Sequence, residues 1–218
     1  MYAYIEWDGR VYLQRKDGVL TLPEFSDELV KEMNLRVGRK MNLNGTSVVY
    51  CTSPSGGEWP LKDEVLLMPD VSEVVKRAII TSYPRPVAGG IALRENNGIE
   101  ILMVRPRRGI YLGWILPGGF VEYGESPEDT LRREVEEELN LRVRDLCIVG
   151  ASSRMMDNGY SLVSIFYLMS IAGEMRKRDE EIYEVMWRPV DEIKDEAIAS
   201  VLDRAIEEFR RGCCAKHF

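Results

Sequence analysis

The residues best suited to chemistry are three glutamates in the middle of the chain, Glu134, Glu137 and Glu138. Their spacing of i, i+3 and i+4 places the three carboxylates on one face of a helix, which the sequence predicts over 126–139. Like charges at this spacing destabilise a helix by about 0.2–0.5 kcal/mol per pair, and a divalent cation would remove that cost. The acidic face therefore predicts a site for Mg²⁺ or Mn²⁺, hard cations that commonly bridge to phosphate.

The composition narrows the chemistry further. The only histidine among 218 residues is His217, next to the C-terminal residue. A Ser-His-Asp triad or a multi-histidine metal site needs histidine inside the fold, so acid–base chemistry must come from carboxylates, Lys, Tyr or Cys. The 29 Lys and Arg residues against 36 Asp and Glu give a net charge of −7. This balance argues against a nucleic acid polymer as partner, because such binding needs a basic surface.

The same features bear on location. No apolar run approaches the roughly 20 residues needed to span a membrane, and the first residues lack the pattern of a signal peptide. Four cysteines are few for this length, which suits a reducing compartment. We therefore expect a cytoplasmic protein without membrane contact. Cys213, Cys214 and His217 resemble half of a metal site, but a frayed tail over 213–218 is the preferred interpretation.

The chain reads as a β-rich first part followed by alternating strands and helices. We predict a small β-rich domain over 1–75, a linker over 76–85, a larger α/β or α+β domain over 86–212, and the tail. In the first domain we expect a three-stranded meander over 2–21, strands at 47–51 and 64–68, and a helix that starts near residue 70. In the second we expect a terminal helix at about 195–210 and strands at 87–93, 100–104, 145–151, 161–169 and 183–188.

The stretch 116–141, LPGGFVEYGESPEDTLRREVEEELNL, resembles the box that defines the Nudix family. The family pattern is Gly, five residues, Glu, seven residues, Arg-Glu, an aliphatic residue, any residue, Glu-Glu, any residue, Gly and an aliphatic residue. Asn140 is the one departure, since it stands where the family has Gly. Asn tolerates the left-handed conformation next best, so we expect the helix end to survive. The matching positions are Gly119, Glu125, Arg133, Glu134, Val135, Glu137, Glu138 and Leu141.

The resemblance implies a fold and a metal site. The fold is an α/β/α sandwich with a mixed β-sheet over 86–212, preceded here by the small β-rich domain. Glu134, Glu137 and Glu138 would bind one to three Mg²⁺ (or Mn²⁺) ions, with the backbone carbonyl of Gly119 as a further ligand. The glycine turn permits the close backbone approach that such a ligand requires.

The resemblance also implies catalytic roles around that metal site. Arg133 would orient the acidic cluster through ion pairs, and Glu125 would support the loop. A box glutamate, or an acid outside the box, would deprotonate the water that attacks a phosphorus of a diphosphate linkage. Glu181, six residues before Trp187, is the favoured outside acid, and Glu180 is its rival.

Substrate contacts are predicted on either side of the box. Arg105, Arg107 and Arg108 end a strand just before it and would receive phosphates, unless they form an ordinary basic loop. Tyr160 and Tyr111 could stack on a nucleobase. Trp114 and Trp187 are better explained as core residues than as stacking platforms.

The favoured function is Mg²⁺-dependent hydrolysis of a nucleoside diphosphate linked to another group, with ADP-ribose as first candidate. The alternatives are a nucleoside triphosphate pyrophosphohydrolase that removes damaged nucleotides, and a non-catalytic nucleotide sensor. The intact acidic residues, and the lack of a helix-turn-helix pattern in the first third, count against the sensor. We also expect a homodimer, with residues 1–75 contributing to dimerisation or to a cap over the substrate.

Overall fold

A computed structural model describes residues 1–109, 112–156 and 159–212 of the chain. The predictions for Tyr111, Cys213, Cys214 and His217 therefore lie outside the described residues. The chain forms two compact units. One consists of Met1–Pro84 together with Met156–Tyr160, and the other of Arg85–Met155 and the residues from Ser161 onward.

In its described residues, the first unit contains six strands and three helices. Its largest sheet has four strands in the order β2-β1-β6-β5, and β3 and β4 form a separate hairpin. The strand bounds are β1 Tyr2–Trp7, β2 Arg10–Val11, β3 Gln14–Lys16, β4 Val19–Thr21, β5 Arg36–Leu43 and β6 Thr46–Thr52. The helix bounds are α1 Asp27–Glu32, α2 Lys62–Leu67 and α3 Glu73–Ser82.

The three-stranded meander predicted over residues 2–21 is wrong. Strand β1 does pair with β2 in an antiparallel hairpin, but its other edge pairs in parallel with β6. Strands β1 and β6 are far apart in sequence, so the alternation of residues within each strand could not indicate their pairing. The predicted middle strand is instead divided into β2 and β3, and β3 pairs with β4 through Gln14–Lys16 and Val19–Thr21.

The strand predicted at 64–68 is also wrong, because these residues belong mostly to helix α2. The carboxylate of Glu64 accepts a hydrogen bond from the backbone N–H of Leu61 at 3.3 Å, which satisfies one donor at the helix start. Val65 is fully buried whereas Leu67 is 87 % exposed. In a strand these two residues would share a face, so a short apolar run can be read either way from sequence.

The segment predicted as a linker at 76–85 is largely helical. Helix α3 runs to Ser82, and its residues Val75, Ala78 and Ile79 are buried in a core with Tyr4. The first unit therefore extends to Pro84 rather than to residue 75.

The described part of the second unit contains seven strands, two α-helices and one turn of 3₁₀-helix over Val190–Glu192. The first strands are β7 Arg85–Ile91, β8 Leu93–Glu95, β9 Ile99–Pro106 and β10 Gly118–Phe120. The later elements are α4 Pro127–Leu139, β11 Arg142–Met155, β12 Ser161–Ala172, β13 Ile182–Pro189 and α5 Glu196–Arg210.

Two sheets form the centre of this unit. One has the order β10-β7-β12-β11, in which β7 and β12 run parallel and the outer pairs are antiparallel. The other is antiparallel, with the order β13-β9-β8. Both faces of these sheets are buried, because alternate residues along a strand belong to two different cores. Leu102 and Val104 lie in the core beneath α4, while Ile101 and Met103 lie in the core beneath α5.

The two helices cover these cores from either side. Helix α4 buries Leu131, Val135 and Leu139 in the first core, whereas α5 buries Val201 and other residues in the second. The predicted α/β/α sandwich with a mixed sheet is thus confirmed, and the predicted strands after residue 86 are all present. In the described part of the chain, no helix has the length and apolar character to cross a membrane.

Substitutions in α2 separate the helical assignment from the strand that the sequence suggested. We expect Val65→Ala to lower the free energy of unfolding by about 2 kcal/mol, since it leaves a cavity in a closed core. Leu67→Ala should change it by less than about 0.5 kcal/mol, because an exposed side chain loses little contact. Urea denaturation followed by circular dichroism would measure both. Equal losses at the two positions would instead favour the strand.

Candidate active site

Helix α4 has the ends that its sequence predicts. The Ser126 hydroxyl accepts a hydrogen bond from the N–H of Asp129 at 3.1 Å, and Pro127 opens the first turn. Asn140 ends the helix in the left-handed conformation, with φ of 57°. The apolar residues Leu131, Val135 and Leu139 are buried and Glu136 is exposed. In this orientation of the helix, Glu134 and Glu138 face the rest of the protein.

Glu138 is the most unusual carboxylate of the protein. It is only 9 % exposed, and its Oε2 atom is buried without a hydrogen-bond partner. Burial, and then the neighbouring charge of Glu134, raise the pKa of Glu138 to about 8, although a backbone hydrogen bond from Gly118 opposes the shift. A buried acceptor without a donor is costly, and a bound cation is one way to satisfy it.

Arg133 ties the acidic residues together. Its guanidinium lies 2.9 Å from Glu134 Oε1 and 3.4 Å from Glu137 Oε2, and it binds both oxygens of Glu125 at 2.7 and 3.1 Å. The hydrogen bonds that Arg133 donates to Glu125 raise the pKa of Arg133 further, so this residue stays charged. The arrangement brings together Arg133 and the box glutamates that the sequence grouped.

Glu125 anchors this network from the loop before the helix. Besides the two bonds from Arg133, it accepts a hydrogen bond at 2.7 Å from the hydroxyl of Thr130, which is fully buried. The Arg133 bonds, and then the Thr130 bond, lower the pKa of Glu125 to about 2. The sequence analysis missed Thr130, which stands four residues before Glu134 and therefore lies on the acidic face of the helix.

The two glycines before the helix serve different purposes. Gly118 has φ of +137°, and a Cβ there would lie 2.1 Å from the backbone oxygen of Ala88. At Gly119 a Cβ would instead lie 2.2 Å from Glu134 Oε1. The glycine of the box therefore leaves room for a carboxylate, while its neighbour permits the backbone turn and close strand pairing.

Glu181 belongs to the same acidic region. Its negative charge is among the causes that raise the pKa of both Glu134 and Glu138, after burial as the main cause. The side chain is 44 % exposed and its Oε1 lies 3.2 Å from Arg178 Nη1. Glu180 is 78 % exposed and lies 3.8 Å from the same guanidinium. The geometry therefore favours Glu181 over Glu180 as an acid associated with the box.

Two of the three predicted arginines meet at one aromatic ring. The guanidinium carbons of Arg105 and Arg107 lie 5.4 and 5.1 Å from the ring centre of Tyr183, which is 53 % exposed. Tyr183 lies where the register between β13 and β9 shifts, between Ile182 and Glu184. Such a bulge redirects side chains. Arg108 is exposed after the strand.

Tyr183 is a residue that the sequence analysis missed. The sequence could have indicated such a residue, because Arg105 and Arg107 are two residues apart and therefore share a strand face on which an aromatic partner can lie. Tyr160 belongs to the first unit, and its stacking on a nucleobase stays a prediction. Trp114 and Trp187 pack against the cores, as expected, with Arg188 and Arg94 over their rings.

The carboxylate cluster fits a small hard cation in its chemistry. It offers oxygen donors, a buried carboxyl oxygen without a partner, and space at Gly119 that a side chain would fill. Within residues 1–109, 112–156 and 159–212, however, no three acidic, Cys or His side chains are already arranged around one point as ligands. Arg133 accounts for this, because it pairs with Glu134 and Glu137.

Fold and site together define an α/β/α domain that presents an acidic helix behind a glycine turn. A family model described as the NUDIX domain matches residues 83–209, which is more than half of the chain. The chain belongs to the Nudix family.

Several characterised proteins are similar over the same region. The NAD-capped RNA hydrolase NudC of Pseudomonas fluorescens is 33% identical over 108 residues, which are 50% of this chain and 38% of that protein. An ADP-ribose pyrophosphatase of Methanocaldococcus jannaschii is 31% identical over 109 residues, which are 49% of this chain and 63% of that protein. The match thus spans less than two thirds of these relatives' own lengths.

The similar proteins include solved structures. A MutT NUDIX hydrolase from Burkholderia pseudomallei has a TM-score of 0.48 and 25% sequence identity, covering 58% of this chain and 98% of its own.

Alanine at each glycine would test their separate purposes. We expect Gly118→Ala to lower the free energy of unfolding by about 1–3 kcal/mol from backbone strain, with a further loss from the clash with the Ala88 carbonyl. Gly119→Ala should keep near wild-type thermal stability, because the flexible end of Glu134 can move, but should weaken the stabilisation that Mg²⁺ gives. Thermal unfolding with and without Mg²⁺ measures both effects. Equal destabilisation at the two positions without Mg²⁺ would contradict this assignment.

Proposed function

We propose that the protein hydrolyses a diphosphate linkage in a nucleoside diphosphate derivative, with Mg²⁺ or Mn²⁺ as cofactor. The observation that carries the proposal is the buried, unpartnered carboxyl oxygen of Glu138 in the acidic face of the Nudix helix. A bound cation would compensate a buried carboxyl oxygen of this kind, which lies beside two further carboxylates.

Glu134, Glu137, Glu138 and the carbonyl of Gly119 would hold the metal. When bound, the cation would neutralise charge on the phosphate oxygens of the substrate. Arg133 would keep Glu134 and Glu137 in reach of the site, and Glu125, fixed by Thr130, would hold Arg133.

Glu181 would take the proton from the attacking water. It lies close enough to Glu134 and Glu138 for its charge to affect both, yet it is partly exposed, so a proton can pass on to solvent. This role needs no histidine, which agrees with a chain whose single histidine stands next to the C-terminal residue.

Arg105 and Arg107 would bind the phosphates of the substrate. Two cations held against the ring of Tyr183 repel each other, and a phosphate group between them would relieve that repulsion. Nε of Arg107 donates to the Asp179 carbonyl at 2.5 Å, and Nε of Arg105 donates to the Leu112 carbonyl at 3.4 Å. Each guanidinium is therefore anchored through one nitrogen.

ADP-ribose remains the first candidate substrate. The archaeal relative is named an ADP-ribose pyrophosphatase, which supports this choice. Several relatives are named NAD-capped RNA hydrolases, so a diphosphate attached to an RNA end is the second candidate. That name counts against the sequence-based expectation that no nucleic acid polymer takes part. Nucleoside triphosphates are the third candidate, and a sensor without turnover would bind ADP-ribose and leave it intact.

We further propose a homodimer to which the first unit contributes, and a reducing location such as the cytoplasm. The buried free thiol of Cys51 supports the second statement. Light scattering of the whole chain separates a monomer of 25.0 kDa from a dimer.

A substrate panel in ¹⁸O-labelled water would test the function. We expect Mg²⁺-dependent release of two monophosphates from ADP-ribose, with ¹⁸O on the phosphorus that is attacked. Glu138→Gln should lower kcat by roughly 100-fold or more, since it removes a charge that the transition state requires. Glu136→Gln, on the exposed side of the same helix, is the matched control and should retain full activity. Full activity in Glu138→Gln would contradict the metal assignment.

The arginine pair gives a second kinetic prediction. Arg105→Gln and Arg107→Gln should each raise KM by about ten-fold with little change in kcat, as expected when binding is lost equally in ground and transition states. The control is Arg204→Gln, an exposed arginine of helix α5. Steady-state kinetics of the three variants would measure KM and kcat. An unchanged KM in the two ring-contacting variants would remove them from the substrate site.

A further inference from the structure

The segment Gly173–Glu181, here named the strap, joins β12 to β13 and crosses the C-terminal end of helix α4. Its backbone N–H groups at Arg176 and Arg178 donate to the carbonyls of Leu139 and Glu138 at 2.9 and 2.8 Å. The last carbonyls of a helix lack partners within it. The strap satisfies two of them and so becomes attached to the residue that carries the buried carboxylate.

Asn140 adds a side-chain bond to the same attachment. Its amide Nδ2 donates to the carbonyl of Glu174 at 3.1 Å, while its backbone takes the left-handed conformation. Glycine, which the family pattern has at this position, would adopt that conformation equally well but has no donor. The departure from the pattern therefore supplies a hydrogen bond between the helix end and the strap.

The other end of the strap fixes Glu181. The carbonyl of Arg178 accepts hydrogen bonds from the N–H groups of Glu181 and Ile182 at 3.0 and 2.8 Å, which closes a tight turn. The Arg178 guanidinium lies 3.2 Å from Glu181 Oε1, and the Glu181 carbonyl accepts a bond from the N–H of Arg107 at 2.8 Å. The backbone of Arg178 thus holds the helix end while its side chain holds the carboxylate.

We propose that Asn140 and Arg178 are positioning residues, which hold the strap on helix α4 so that the Glu181 carboxylate stays beside Glu134 and Glu138. This inference rests on the proposed function, in which Glu181 takes a proton. It assigns a purpose to the one position at which the sequence departs from the Nudix box.

A contribution to overall stability does not explain the Arg178–Glu181 pair. The two side chains are 46 % and 44 % exposed, and ion pairs at that exposure contribute little to the free energy of folding. Asn140 is likewise exposed. What the contacts restrict is the place of one carboxylate, and a displacement of about 1 Å can lower a rate by up to 100-fold.

Substitutions that loosen the strap at Asn140 or free the Glu181 carboxylate at Arg178 would test the proposal. With the substrate that the panel identifies, Asn140→Gly and Arg178→Gln should lower kcat by roughly ten-fold and leave KM nearly unchanged, because only the position of a reacting group is lost. Arg178→Lys, which keeps the positive charge, should recover part of the rate. The matched control is Arg176→Gln, since the side chain of Arg176 pairs only with Glu174 on the strap surface while its backbone bond remains.

A double-mutant cycle distinguishes positioning from general structural damage. In the Glu181→Gln background, Asn140→Gly and Arg178→Gln should change kcat by less than about two-fold, because the group they position is already absent. Equal losses in both backgrounds would overturn the proposal.

A measurement without metal or substrate provides an independent readout. The amide protons of Arg176 and Arg178 should exchange with solvent faster in Asn140→Gly than in the wild type, while amides within α4 keep their protection. Unchanged exchange at both amides would also overturn the proposal. Full activity of Glu181→Gln would defeat this inference and the role of Glu181 as proton acceptor while leaving metal-dependent hydrolysis in place, whereas full activity of Glu138→Gln would defeat the proposed metal site, so the two failures are distinguishable.

Discussion

The burial of negative charge at the end of helix α4 is the constraint on which the site depends. Glu138 is nearly inaccessible to water and lies beside Glu134, and the two carboxylates repel each other in a region of low polarity. Such a pair is unfavourable unless a positive charge compensates it. In the described residues that charge comes from Arg133, which pairs with Glu134, but no partner reaches Glu138 Oε2. This arrangement supports the cation site that we propose, since Arg133 supplies only part of the compensating charge.

The rest of the second unit holds this unfavourable arrangement in place. Strands β7, β9 and β12 are buried on both faces, so helix α4 packs on a platform that α5 covers from behind. The glycine turn brings backbone and carboxylate together, since Gly118 pairs with β7 and Gly119 leaves the space that Glu134 fills. Burial of apolar side chains in the two cores supplies the free energy of folding. The charged face of helix α4 provides the reactive groups at the edge of these cores.

The sequence predicted the parts of this unit that are local. Helix α4, its caps and its acidic face follow from the spacing of a dozen residues, and the strands after residue 86 follow from alternation. The first unit was harder, because the parallel pairing of β1 with β6 joins residues more than 40 positions apart. Likewise, the short apolar run in α2 fits a strand and a helix equally well until its neighbours are known. The first unit ends at Pro84 rather than at residue 75, because α3 runs to Ser82 and packs in the core of that unit.

Contacts made by the backbone were the part of the site that no residue pattern could indicate. The hydrogen bonds from the strap to the carbonyls of Glu138 and Leu139 depend on where Arg176 and Arg178 lie, and any residue other than proline could donate them. Asn140 is the one place where this arrangement leaves a mark in the sequence. As a residue that ends the helix, Asn140 is an acceptable substitute for glycine. Its hydrogen bond to Glu174, however, connects the acidic helix α4 to the segment that carries Glu181, so the change from the family pattern contributes to how the proposed site is assembled.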